Sequence, residues 1–474
     1  MIKPKRVVVI GAGPAGITAA YKLQLGGAHV TLHEASNSVG GMAKSFELWN
    51  QIVDLGPHRF FSSDPRVNEF WLESLDYEYV MVKRLTRIYY KNRFFSYPIQ
   101  ALNALLGLGI IEALRCVLSY VVVKIAPKKD ESKFDSWVIN RFGTRLFQIF
   151  FKSYTEKLWG IKCSVLDADF AAQRIKKLSL FEAIKGALFS NKGNKHRTLV
   201  DEFAYPKSGA GDVYARISKK FIAAGGILHL NSRVTEIKLL GSQVSISVNE
   251  ESPQVFDHAV STMPLTLLVQ KIGAPEDVLE KTRQLKFRNT ILVYLKVEGK
   301  NPFPDQWIYV HAEDLQTGRI TNFRNWTKSI NKDEDANIIC LEYWCYDTDE
   351  IWTSDDNKLV ELATKELYGT KLVDSDSIQD GFVQRVPKCY PVYSSGYREI
   401  LEPIQKYLNS VKVITPIGRY GSFKYNNQDH SILMGLLASE NILENLHTDL
   451  WAINTDYEYQ ESTRITATGL VKNE

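Results

Sequence analysis

A β-branched run, Arg6-Val-Val-Val-Ile10, passes directly into Gly11-Ala-Gly-Pro-Ala-Gly16. Such a run favours a buried parallel strand, and G-x-G-x-x-G behind a strand opens a dinucleotide-binding βαβ unit. Each glycine has a task. Gly11 makes the tight turn, Gly13 lets a pyrophosphate approach the backbone, and Gly16 lets the helix starting near Pro14 lie against the strand with its N-terminal dipole on the phosphate. A second strand, His29 to His33, ends at Glu34, about 20 residues on, where the fingerprint places a carboxylate on a ribose hydroxyl. No second motif of this kind follows a strand elsewhere, so a visiting nicotinamide cofactor must use another surface.

Composition permits this reading and excludes others. A chain of 474 residues has room for about two to four structural units and an ample core. Lys and Arg number 58 against 54 Asp and Glu, a net charge of +4, which leaves no footprint for nucleic acid. The basic run at 191–197 reads as a solvated loop. Cys116, Cys163, Cys340, Cys345 and Cys389 show neither a C-x-x-C pair nor a metal-ligand spacing. Their odd number argues against a disulfide framework, and a reducing cytoplasm is the expected setting. The first strand begins almost at Met1, so no signal peptide is expected. Residues 101–125 are mostly apolar but carry Glu112, Arg115 and Lys124. A crossing helix needs ~20 apolar residues and charges within it are costly. Buried helices are expected there, in place of a membrane crossing or a membrane-docking surface.

Periodicity divides the rest. Residues 64–80 and 98–190 are mostly helical by pattern, with Phe142, Leu146, Ile149 and Phe150 at helical spacing. Residues 226–262 read as a βαβ-type completion of the nucleotide domain. Alternating strands return at 290–296, 307–310, 319–323 and 338–343, and 411–443 reads as a strand, a glycine-arginine loop and a helix. The expected fold is α/β, with a discontinuous Rossmann-type domain in three pieces (1–85, 193–265 and 406–450). Residues 86–100 supply strands to a substrate sheet, 101–192 form a helical insertion, 266–405 a mainly antiparallel substrate domain and 451–474 a tail.

Several stretches carry a resemblance. Glu34 is followed after five residues by Gly40-Gly41, a pattern of the large FAD-binding group that includes amine oxidases, and Asp169 to Leu180 is similar to bacterial proteins related to protoporphyrinogen oxidase. The segments Asp54-Leu-Gly-Pro-His-Arg-Phe-Phe-Ser62, Phe147 to Gly160, Arg319-Ile-Thr-Asn-Phe-Arg-Asn-Trp326, Cys389-Tyr-Pro-Val392 and Gly418 to His430 together resemble the UDP-galactopyranose mutases across nearly the whole chain.

The resemblance implies FAD held by Gly11, Gly13, Pro14, Ala15, Gly16, Glu34, Gly41, Met42, Pro57, His58, Val234, Gly418, Arg419 and Asp429. It places His58 beside the flavin ring and makes Arg419 its catalytic partner. Tyr154 and Trp159 would hold a uridine, although aromatics at that spacing also suit a core. Arg319, with Arg288 as a second candidate, would grip the diphosphate, unless either is a salt-bridge arginine. Tyr390, Tyr425 and Asn427 would complete the substrate site. Two departures stand out. The mutases carry a loop arginine where this chain has Phe181, leaving Arg174, Lys176 or Lys177 to replace it, and they carry aspartate where it has Asn427.

No Ser/His/Asp order, metal cluster or carboxylate pair stands out, so the difficult step falls to the cofactor. In the mutases, reduced flavin N5 attacks the anomeric carbon and expels the nucleoside diphosphate, and the adduct lets the sugar ring open and reclose. The expected substrate is a nucleotide sugar of the UDP-galactopyranose or dTDP-fucopyranose type. NADPH or another donor would reduce the flavin, and the oligomeric state stays open, a homodimer among the options. An FAD-dependent oxidase or desaturase of the protoporphyrinogen oxidase type is the second reading, and a flavin-bound protein without turnover the third.

Overall fold

The computed structural model describes residues 4–99, 101–168, 202–249, 251–331, 335–454, 463–466 and 469–472. Strands Ile414–Pro416, His258–Ser261, Arg6–Ile10, His29–His33 and Ile227–His229 lie in that order in one parallel sheet. Val7, Val8 and Val9 have no exposed surface, because helices cover one face of the sheet and the strands at 234–256 cover the other, leaving its strands no wet side. Helix Pro14–Leu25 packs on this sheet and against helices Asp212–Ala223 and Gln428–Glu444. The last helix thus returns from the far end of the chain to the first turn.

A second sheet of seven strands has the order Ile378–Pro391, Phe287–Glu298, Ala336–Cys345, Arg319–Asn322, Trp307–Val310, Thr86–Tyr90, Arg93–Ser96. All its pairings are antiparallel except Trp307–Val310 beside Thr86–Tyr90. Of its central strands, Ala336–Cys345 is buried along its whole length and Phe287–Glu298 at all positions but Lys296 and Glu298, which explains their mostly apolar sequence. The five cysteines are free and buried.

Two expectations fail. Residues 226–262 contain no crossover helix. Val234–Leu240, Gln243–Val248 and Gln254–Phe256 form an antiparallel meander instead. Val244, Ile246 and Val248 bury alternate positions, and Gly241 makes the tight turn with φ +65°, so the local period is two and the segment is a hairpin. In the insertion, helices Ala101–Leu108, Ile110–Ile125 and Phe134–Phe142 form as predicted, but Ile110–Ile125 is not buried. Only Cys116 and Val123 of that helix are, and its large aliphatic residues face solvent. Among the described residues no helix is long and apolar enough to cross a membrane. Residues 144–159 run on helically through a π-turn at Gln148–Lys152, a feature frequent at functional sites.

Candidate functional site

Both sheets and the insertion enclose one cavity of about 1030 Å³, at the upper end of the ~300–1,000 Å³ usual for ligand pockets. One end lies on the nucleotide domain. Gly11, Gly13, Pro14, Ala15, Glu34, Gly41, Met42 and Val234 line it. A side chain at Gly41 would come within 3.0 Å of the Gly13 Cα, so the two backbones form a cradle with no room for a Cβ at that position. Gly16 does not line the cavity. A Cβ there would lie 1.9 Å from the Gly11 carbonyl oxygen, which is the helix-strand contact the motif predicts. The Glu34 carboxylate accepts from the Ala12 amide at 2.7 Å and from the Ser36 amide and hydroxyl, each at 2.8 Å. Three of its roughly four acceptor positions are used, leaving one for a ribose hydroxyl. A helix N-terminus without a side-chain cap completes a donor set that fits the dinucleotide of FAD.

The other end holds the charged groups. Arg419 donates Nε to the Cys389 carbonyl at 2.8 Å and Nη1 to the Asn426 carbonyl at 3.1 Å. Its guanidinium lies over the rings of Tyr390 and Tyr425, which stack 5.4 Å apart. Its Nη2 is buried with no hydrogen-bond partner, and among the described residues no carboxylate neutralises it. Arg319 faces the same cavity but is paired, through Nε and Nη2, with both oxygens of Glu342 at 2.6 Å.

His58 lines the same cavity, within electrostatic reach of both arginines. Burial, with the positive charges of Arg319 and Arg419, pushes its pKa down to about 4. Its Nδ1 lies 3.0 Å from the Gly56 carbonyl, which can only accept, so the neutral ring carries its proton on Nδ1 and presents Nε2 as an acceptor. Tyr154 lines the cavity and stacks on His311 with ring centres 5.0 Å apart. Lys157, one turn on, donates to the carbonyls of Val310, Ala312 and Thr317 and fixes the loop that leads into Arg319. An arm lined by Ile88, Tyr97, Ile99, Phe134, Phe142, Phe150, Phe151 and Tyr309 extends the cavity into the insertion.

The structure thus brings Pro57, His58, Tyr154, Arg319, Tyr390, Gly418, Arg419, Tyr425 and Asn427 to one cavity. Asn427 also caps helix Gln428–Glu444, exchanging hydrogen bonds with the first turn through His430. Three expected residues stand apart. Trp159 has no exposed surface and packs against Tyr390, Tyr393 and Tyr425 behind the cavity wall, so it is a core residue and not a base platform. Arg288 is buried and donates to the carbonyls of Lys157, Leu158 and Trp344, locking a helix end to the sheet away from the cavity. Asp429 is buried between the lining residues Gln428 and His430 without lining the cavity itself, 3.3 Å from His430. Arg174, Lys176, Lys177 and Phe181 lie outside the described residues. The sequence reading missed Glu342. A lone carboxylate inside Ile338-Ile-Cys-Leu-Glu-Tyr-Trp-Cys345 was its signal, since a charge in an otherwise apolar buried strand needs a partner.

Residues 14–398 match the flavin containing amine oxidoreductase family. The chain belongs to this family. An L-amino-acid oxidase of Crotalus adamanteus is 43% identical over 67 residues, 14% of this chain and 13% of that enzyme. One from Demansia vestigiata is 27% identical over 260 residues, 50% of this chain. The chain therefore spans only 13% and 45% of the length of these two relatives. In fold it is similar to reduced UDP-galactopyranose mutase, with a TM-score of 0.85 at 22% identity over 96% of this chain and 97% of that one. A putative protoporphyrinogen oxidase from Exiguobacterium matches with a TM-score of 0.74 at 15% identity, covering 94% of this chain and all of the other. The mixed α/β architecture with a mostly antiparallel second sheet is common to these structures.

Proposed function

We propose that this flavin-family protein is a nucleotide-sugar mutase that interconverts the pyranose and furanose forms of an NDP-hexose of the UDP-galactopyranose or dTDP-fucopyranose type. The observation that carries the reading is Arg419, whose buried guanidinium faces the cavity with one nitrogen unpartnered and no carboxylate paired with it among the described residues. A buried charge without compensation calls for an anion, and a diphosphate offers bidentate oxygens to a guanidinium. A cationic amine is repelled from the same place. Bound FAD supplies the nucleophilic chemistry in this reading. Around it, Arg419 and Tyr425 hold the departing diphosphate where its charge grows, and its retention makes the return step effectively unimolecular. Neutral His58 offers Nε2 to an N–H or O–H of cofactor or sugar.

One feature favours a second reading. The aromatic arm from Tyr97 to Phe151 suits an apolar group better than a sugar, and a single guanidinium also suits a carboxylate, so an FAD-dependent oxidase or desaturase is the alternative. The test uses dithionite-reduced enzyme under anaerobic conditions with a panel of UDP- and dTDP-hexopyranoses. Conversion to the furanose form through many turnovers without an electron acceptor, and none by oxidised enzyme, supports the mutase. Stoichiometric oxygen consumption on an apolar or amino-acid substrate, with no ring isomerisation across the panel, overturns it.

A further inference from the structure

Helix Ile110–Ile125 is amphipathic with its apolar side outward. Ile110, Leu114, Leu118, Val121, Val122 and Ile125 are between 47% and 82% exposed. At ~100° per residue they span an arc of about 120° on one side of the helix. Arg115 borders that arc on one edge and Lys124 on the other, and exposed Lys128 and Lys129 follow the helix end. The opposite side, through Cys116 and Tyr120, packs on Phe95, Phe142, Phe150 and Phe151, the last three of which line the aromatic arm of the cavity. The helix is therefore anchored on the wall of the site and open to whatever covers its other side.

We propose that this face docks on the surface of an anionic lipid bilayer. Sixteen residues rise ~24 Å, short of the ~30 Å needed to cross, so the helix lies in the interface. An apolar stripe between basic residues is the pattern of helices that lie there, with lysine and arginine stems along the apolar edge and their charges among the headgroups. The charges select the occupant. Glu112 is shared between Arg115 and Arg145, and Glu131 is bonded by Arg141 and Asn140. Lys124 faces Glu131, which Arg141 already pairs, and Lys128 and Lys129 are in no ion pair among the described residues, with Asp130 next to them in sequence. Two copies meeting on this face would set cation against cation, whereas anionic headgroups complement them.

The test is co-sedimentation of the full-length protein with vesicles of phosphatidylcholine, with and without phosphatidylglycerol. The protein is expected to sediment with the anionic vesicles, less with pure phosphatidylcholine, and less as salt rises. Leu114→Ser/Leu118→Ser/Val122→Ser should weaken partitioning at least about tenfold, since it removes apolar area from the bilayer contact, with an unchanged melting temperature because all three sites are exposed. Lys124→Gln and Lys128→Gln should each cost about fivefold on anionic vesicles alone. Failure of the wild type to bind either vesicle overturns the proposal, as does a triple variant that binds like the wild type. A wild-type dimer in light scattering that the triple variant dissociates, with no vesicle binding, assigns the face to a second copy.

Discussion

Arg319 and Glu342 stand directly opposite each other on neighbouring antiparallel strands and close a two-point ion pair, both contacts at 2.6 Å. Glu342 is almost completely buried, with its side chain 2% exposed against 17% for Arg319. The arginine that the motif assigns to the diphosphate is thus already neutralised by a residue the motif does not contain. Glu342→Gln keeps the shape and removes the charge. It is expected to cost about 3 kcal/mol of stability, because losing one partner leaves a buried charge alone, and yet to tighten UDP or dTDP binding, because the freed guanidinium gains an anion. Denaturant midpoints and calorimetric titration read the two effects separately. A variant with both stability and affinity unchanged would remove the pair from the site.

Arg419 predicts the opposite combination. Its Nη2 has no partner among the described residues, so Arg419→Met relieves a charge without a counter-ion while leaving the Cys389 and Asn426 carbonyls without their donor, and the two effects should nearly cancel to within about 1 kcal/mol of stability. Nucleoside-diphosphate binding should fall about ten- to a hundredfold, the equivalent of one charge-assisted hydrogen bond at ~1.5–3 kcal/mol. Arg419→Lys should restore only part of it, since an ammonium cannot stack on Tyr425 or bind bidentately. An affinity that survives Arg419→Met would point the anion elsewhere.

Two glycines of the first turn separate folding from cofactor binding. Beside Gly13 the nearest atom to an added Cβ is the Gly41 Cα at 3.8 Å, ordinary contact, while beside Gly16 the Gly11 carbonyl lies at 1.9 Å. Gly13→Ala should fold with wild-type stability in the apo form and lose flavin on gel filtration, because the methyl stands where the pyrophosphate must approach. Gly16→Ala should lose about 1–3 kcal/mol or more by overpacking, with or without flavin. Equal flavin retention in wild type and Gly13→Ala would break the link between this turn and the cofactor.

The two halves of the site differ in how far sequence alone could locate them. The resemblance brought His58 and the 418–427 loop to the same cavity, while the placement of the Gly11–Gly16 turn and Glu34 was legible because it rests on backbone next to a turn, so spacing carries the geometry. Trp159, Arg288 and Glu342 were not, because what they do depends on which residue the second sheet sets opposite them, and strand order is not written in local spacing. The outward face of Ile110–Ile125 was misread for a related reason. Its apolar period specifies a helix with one apolar side, and nothing within the helix says whether protein covers that side.

Trp159 turns this distinction into a measurement. Its indole is enclosed by Tyr390, Tyr393 and Tyr425, and Trp159→Ala should cost about 3–5 kcal/mol as a large-to-small core change. Trp159→Phe, which retains a ring, should cost less and keep the nucleotide affinity of the wild type. If Trp159→Phe folds normally but binds UDP at least tenfold more weakly, the indole is a base platform after all.

Asp54 supplies a dependence on pH. Its carboxylate is wholly buried two residues before Gly56 and accepts from the Ser45 hydroxyl at 2.5 Å, the Tyr205 hydroxyl at 2.6 Å and the Ala210 amide at 3.1 Å. Burial outweighs these three donors and pushes its pKa up from 3.8 to about 6. A carboxyl raised in the folded state holds a proton that the unfolded chain has already released, so its contribution falls as pH rises from about 4 to about 6 and is level on either side. Two pH units at ~1.4 kcal/mol each give a decrease of about 3 kcal/mol. His33, His58 and His258, each lowered by burial to about 4, act in the opposite direction, so the wild-type profile is a sum of opposing slopes. The difference between Asp54→Asn and wild type isolates the one group. Urea midpoints taken at pH 4 and pH 7 should shift in favour of the variant by up to about 3 kcal/mol between the two. A constant difference would mean that the three donors hold Asp54 ionised throughout, with burial the weaker effect.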